Sequence, residues 1–118
     1  MIQLEVISRG VLKIVAPEKL KVDDFAELAP IVKSILEHHD KIRLFIDATR
    51  LEGWENIEAL EKHAAFVKGN QRKVERIAII ARHDWQHWLV GAVKVFLHPE
   101  IRMFDKSESD EALRWVTD

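Results

Sequence analysis

A mixed α/β domain of order β-β-α-β-α-β-α-β-α is what the sequence predicts. Three observations carry this. Short apolar segments alternate with longer segments of helical period; the two opening strands are joined by a link too short for a helix; and 118 residues is the size of one domain. Strands that alternate with helices pair in parallel through right-handed crossovers, and the opening hairpin adds one antiparallel strand. The sheet is expected to be mixed and mostly parallel, with helices packed on it, and residues 1–118 form a single domain.

Each element has a local signature. Ile2, Leu4 and Val6 alternate with Gln3 and Glu5, as in a half-buried strand. Ser8-Arg9-Gly10 turns the chain, and Val11, Leu12, Ile14 and Val15 form the second strand, ended by Pro17. Asp24 with Glu27 has capping-box spacing, and Phe25, Leu28, Val32, Ile35 and Leu36 follow at helical period. Pro30 interrupts that period, so it either kinks the helix or starts its main segment. Ile42, Leu44, Phe45 and Ile46 form a third strand, covered on both faces. After the loop Leu51-Glu52-Gly53, a helix is marked by Trp54, Ile57, Leu60, Ala64 and Val67 and ends near Gly69-Asn70. Ile77 to Ala81 is a buried strand. Asp84 can cap a third helix with apolar positions Trp85, Trp88, Leu89, Ala92, Val93, Phe96 and Leu97, closed by Pro99. Ile101, Met103 and Phe104 form a fifth strand. Ser107 with Asp110 opens a last helix carrying Ala112, Leu113, Trp115 and Val116.

Composition narrows the function. The apolar fraction is 47% and the charged fraction 32%, as in a globular chain. A net charge of −2 argues against a nucleic-acid partner, which needs a basic face to release counterions. The one basic cluster, Lys68, Arg72, Lys73 and Arg76, reads as a solvated helix end. The absence of cysteine excludes disulfides, thiolate nucleophiles and Cys-based zinc sites, and fits the cytoplasm. The first residues lack the pattern of a signal peptide, and no apolar run reaches the ~18 residues of a membrane span.

The element order resembles that of the SpoIIAA-like (STAS-related) family. Three stretches carry the likeness: Leu44-Phe45-Ile46-Asp47 with Gly53-Trp54; Arg76 to Ile80 with Asp84-Trp85; and Phe104-Asp105 with Glu111 to Val116. The resemblance implies a regulatory or binding domain rather than an enzyme. In the anti-anti-sigma branch a Ser at the start of the helix after the third strand is phosphorylated. None of Ser8, Ser34, Ser107 and Ser109 lies there, and Thr49 is the nearest hydroxyl. The fold is also similar to that of lipid-carrying domains, which implies an apolar small molecule as ligand.

The third helix is the unusual element. Trp85, Trp88, Leu89, Ala92, Val93 and Phe96 supply the stripe that faces the sheet, and Val90, Gly91 and Val95 widen it. A helix apolar nearly all round must be covered on a second side, by neighbouring helices, by a second copy of the chain or by a ligand. Trp54, Trp85 and Trp88 stand near the starts of helices that follow parallel strands, where α/β sheets bind ligands. Helix N-termini there favour an anionic head group. The other reading is that these tryptophans plug the core. Trp54, Trp85, Trp88, Leu89 and Phe96 are therefore the expected ligand-binding residues, for a small apolar or amphipathic molecule, with a homodimer or protein contact as the alternative.

Catalysis has weaker support. Asp47, Asp84, His83 and His87 are the candidates, but Tyr is absent and the four glycines form no phosphate loop. His83 and His87 are four apart, yet a zinc site needs three or four convergent ligands. No catalytic residue, metal or cofactor is expected.

Overall fold

The computed structural model describes residues 2–118. In chain order the elements are β1 (Gln3–Ser8), β2 (Val11–Val15), β3 (Lys19–Leu20), α1 (Val22–His38), β4 (Ile42–Asp47), β5 (Gly53–Trp54), α2 (Ile57–Asn70), β6 (Val74–Ile80), α3 (Asp84–Val93), β7 (Glu100–Phe104) and α4 (Ser109–Thr117). Single 3₁₀ turns follow α2 (Gln71–Lys73), follow α3 (Lys94–Phe96) and precede α4 (Lys106–Glu108). The five-stranded sheet has the order β1-β2-β4-β6-β7, with β1 antiparallel to β2 and the other pairs parallel. This is the mixed, mostly parallel sheet that the alternation of elements predicts.

The crossovers β2-α1-β4, β4-α2-β6 and β6-α3-β7 all step the same way across the sheet. Right-handed connections therefore set α1, α2 and α3 on one face and leave the other to α4. The strands serve both faces by alternation. Leu12 and Ile14 of β2 pack with Leu28, Val32 and Ile35 of α1, while Val11, Phe45, Ala78, Ile80 and Phe104 pack with Ala112 and Val116 of α4. Ala78 and Ala112 are both fully buried, and such small side chains let α4 lie close on β6. The carbonyls at the end of α4 accept from arginines of the sheet, Val116 from Arg43 Nη1 at 3.0 Å and Trp115 from Arg76 Nη1 at 2.8 Å. Those cations also complement the helix dipole. Arg76 thus differs from its expected role as a solvated helix-end charge: it lies over the Trp115 ring, 5.2 Å from its centroid.

Several boundaries differ from the sequence reading. Helix α1 starts at Val22, so Asp24 is its third residue rather than its cap. The buried Asp24 carboxylate accepts from the Lys21 and Ile2 amides, binding the helix start to the chain's beginning. α1 runs through Pro30 without a break. The ring removes the amide that would bond Ala26, and both residues are exposed, so water can take the freed carbonyl. Trp54 is not helical. It pairs with Leu20 in a second, two-stranded parallel sheet of β3 and β5, and α2 starts three residues later under the cap Asn56, whose Oδ1 accepts from the Ala59 amide. Gly53 has φ 149°, which favours glycine, and no apolar period announces a two-residue strand. The last helix begins at Ser109 behind a 3₁₀ turn led by Asp105, not at Ser107.

Candidate functional site

Residues at the carboxyl ends of the parallel strands gather an aromatic group from four segments. β5 brings Trp54, α2 brings His63 and Phe66, α1 brings Phe25, and the start of α3 brings Trp85. Trp54 and Trp85 rings are 6.1 Å apart between centroids, and Phe25 stacks on His63 at 5.4 Å. Trp54 Nε1 donates to His63 Nδ1 at 3.0 Å, so the His63 proton resides on Nε2. On the other side His83 lies parallel to Trp85, at 14° and 6.4 Å, and its buried Nε2 has no partner among the described residues.

Burial holds the His63 imidazole below its ordinary value of 6.5. The unfolded chain therefore takes up this proton at a higher pH than the folded one. Stability from the neutral ring is complete above pH 6.5 and declines as pH falls below that value toward the lowered folded-state value. A thermal melt series should show the midpoint flat above neutrality and falling below pH 6.5, with the fall reduced in His63→Gln, whose amide oxygen can still accept from Trp54. An unchanged acid limb in that variant would assign the effect elsewhere.

The rotation of α3 decides which apolar residues are free. Gln86 is 4% exposed, unlike any other residue of the helix. Its Oε1 accepts from the Arg82 and His83 amides, and its Nε2 donates to the carbonyls of Ala48 at 2.7 Å and Leu51 at 3.2 Å. The inward side is therefore Gln86 with Trp85, Leu89 and Val90, not the stripe expected from the sequence. Trp88 and Phe96 are turned to solvent, 74% and 81% exposed, and Ala92 and Val93 are exposed too. Among the expected site residues, Trp54, Trp85 and Leu89 are half-buried and Trp54 and Trp85 meet; Trp88 stands outside that contact. Phe96 lies roughly 16 Å further along the helix axis, at the opposite end of the strands. Sequence reading missed Gln86 and His63. A glutamine in period with Leu89 and Val90 was the available signal for the first.

Ile77 and Ile79 of β6, and Ile101 and Met103 beside them on β7, lie on the face that carries α1, α2 and α3, and all four are only half-buried. They form an apolar floor that α2 and α3 leave partly open. Two open hollows lie elsewhere: one of about 510 Å³ between the β1–β2 hairpin and the end of α1, lined by Val6, Arg9, Ser34 and His38, and one of about 380 Å³ around Pro17, Lys19 and Arg50.

The catalytic candidates have local roles. Asp47 Oδ1 accepts from the Thr49 amide and hydroxyl, closing the turn after β4. Asp84 and His87 are exposed, and among the described residues no three His, Cys, Asp or Glu side chains gather as a metal set. Among the described residues no helix is long and apolar enough to cross a membrane.

A family model described as SpoIIAA-like matches residues 11–117. Among solved structures, the chain is similar to an uncharacterised protein of the DUF3478 family with a SpoIIAA-like fold from Shewanella loihica PV-4. The TM-score is 0.79 at 26% identity, covering 98% of this chain and 92% of that one. No curated protein matches the chain.

Proposed function

The chain belongs to the SpoIIAA-like family, and from that premise we propose that it is a non-catalytic regulatory domain that binds a small amphipathic, lipid-like molecule between α2 and α3. The observation that carries this reading is the half-open apolar floor of Ile77, Ile79, Ile101 and Met103, bordered at the carboxyl rim by Trp54 and Trp85. Leaving such surface to water costs about 25 cal/mol per Å², which an alkyl chain laid along it recovers. The start of α3 offers backbone amides to a head group at the same rim. A cytoplasmic protein that carries or senses such a ligand fits this arrangement.

The test is a titration of the intact chain with fatty acids and lysophospholipids below their micellar concentrations, read by tryptophan fluorescence. Binding should shift the emission, and Met103→Glu, which places a charge on the floor, should weaken it at least tenfold. No response to any of these amphiphiles, or a response indifferent to Met103→Glu, would remove the ligand from this gap.

A second reading has its own observation. Trp88 is 74% exposed on the outer side of α3, as a protein contact or homodimer would require. Light scattering that reports a dimer broken by Trp88→Glu would support it.

A further inference from the structure

We propose that the outer edge of α3 and the 3₁₀ turn that follows it form a docking surface for anionic phospholipid membranes, independent of the ligand gap. Trp88, Ala92 and Val95 recur at helical period on the solvent side, and Phe96 continues the row; Trp88 and Val95 are each 74% exposed and Phe96 81%. Their charges distinguish this edge from an ordinary apolar patch. Lys94 lies within the turn, and the His98 amide donates to Gln71 Oε1, which brings the 3₁₀ turn Gln71–Lys73 alongside. Arg72 and Lys73 belong to that turn and Lys68 to the end of α2 just before it, all three exposed. The acids that border them are engaged elsewhere, Glu75 with Arg43 at 2.6 Å and Glu100 with Arg76 at 4.0 Å. Among the described residues, Lys68, Arg72, Lys73 and Lys94 form no ion pair.

An exposed tryptophan and phenylalanine beside unpaired cations is the composition of an interfacial helix, whose aromatic side enters the boundary of the acyl chains while its lysines meet phosphate. A second copy of the chain fits poorly, because a two-fold contact would bring this positive rim against itself. Each Lys or Arg near an anionic surface contributes about 1 kcal/mol, roughly a fivefold gain in affinity.

Sedimentation of the intact chain with phosphatidylcholine vesicles, with and without phosphatidylglycerol, tests this. Binding should require phosphatidylglycerol and weaken with added salt. Phe96→Glu should reduce it at least tenfold, Phe96→Leu should retain it, and the pair Arg72→Gln with Lys94→Gln should reduce it roughly tenfold or more. Phe96 is exposed, so circular dichroism should be unaltered in each variant. No sedimentation with anionic vesicles, binding indifferent to phosphatidylglycerol, binding unchanged by Phe96→Glu, or a dimer that Phe96→Glu dissociates would each overturn the proposal. A failed amphiphile titration with vesicle binding intact would remove the ligand gap alone.

Discussion

Gln86→Leu should lower the unfolding free energy by about 3–5 kcal/mol and the thermal midpoint by roughly 10–20 °C. The leucine matches the volume closely and keeps the helix propensity, so the loss isolates the amide. Four hydrogen bonds end at this one side chain. Without it the Leu51 carbonyl and the Arg82 and His83 amides lose their side-chain partner and the Ala48 carbonyl keeps only the Leu51 amide, at about 1–3 kcal/mol for each buried group left unpaired. The damage should be directional, because Gln86 sets the rotation of α3 against the loop between β4 and β5. Amide exchange should quicken in α3 and in residues 48–51 before it does in α1 or α4. His87→Leu, one residue on and exposed, should change stability by less than about 0.5 kcal/mol. A Gln86→Leu variant within 1 kcal/mol of the parent would show that the helix is held by other contacts.

Phe104→Ala should cost about 3–5 kcal/mol. Phe104 is 4% exposed at the end of β7 and packs beneath α4 with Ala112 and Val116. Its ring lies 6.1 Å from that of Trp115, and the Arg102 guanidinium lies over both rings, at 5.5 and 5.3 Å. Truncation opens a cavity that α4 cannot close by moving inward, since Ala78 of β6 and Ala112 of α4 are already fully buried in the same cluster. The contrast is Phe96→Ala. Phe96 is 81% exposed, so its loss should change stability by no more than about 0.5 kcal/mol. Paired denaturant titrations of the two variants read the difference directly. Equal effects would mean that the outer edge of α3 is covered in solution, and light scattering would then identify a second copy.

The comparison of these phenylalanines illustrates what a sequence holds. Both stand in apolar surroundings of similar character, Val95-Phe96-Leu97 and Met103-Phe104. Their order along the chain states that one belongs to a helix and the other to a strand. Strand alternation then places Phe104 in a sheet covered on both faces, and it is buried. Helical period alone cannot place Phe96, because α3 is apolar on more than one side and several rotations bury similar area. The expected site consequently mixed residues that meet, Trp54 and Trp85, with others that do not, Trp88 and Phe96.

The order of the five main strands and four helices, the hairpin, the mostly parallel sheet and family membership were determined by the sequence itself, because periodicity, turn residues and crossover handedness act within a few residues or one connection. The rotation of α3, the pairing of β3 with β5 and the burial of His63 against Trp54 were decided only in the tertiary structure. Their partners are distant: Gln86 reaches carbonyls 38 and 35 residues away, and Leu20 pairs with Trp54 across a whole helix and strand. Hydrogen bonds of that span leave no period in the chain, and they determine which apolar side chains of α3 remain in water.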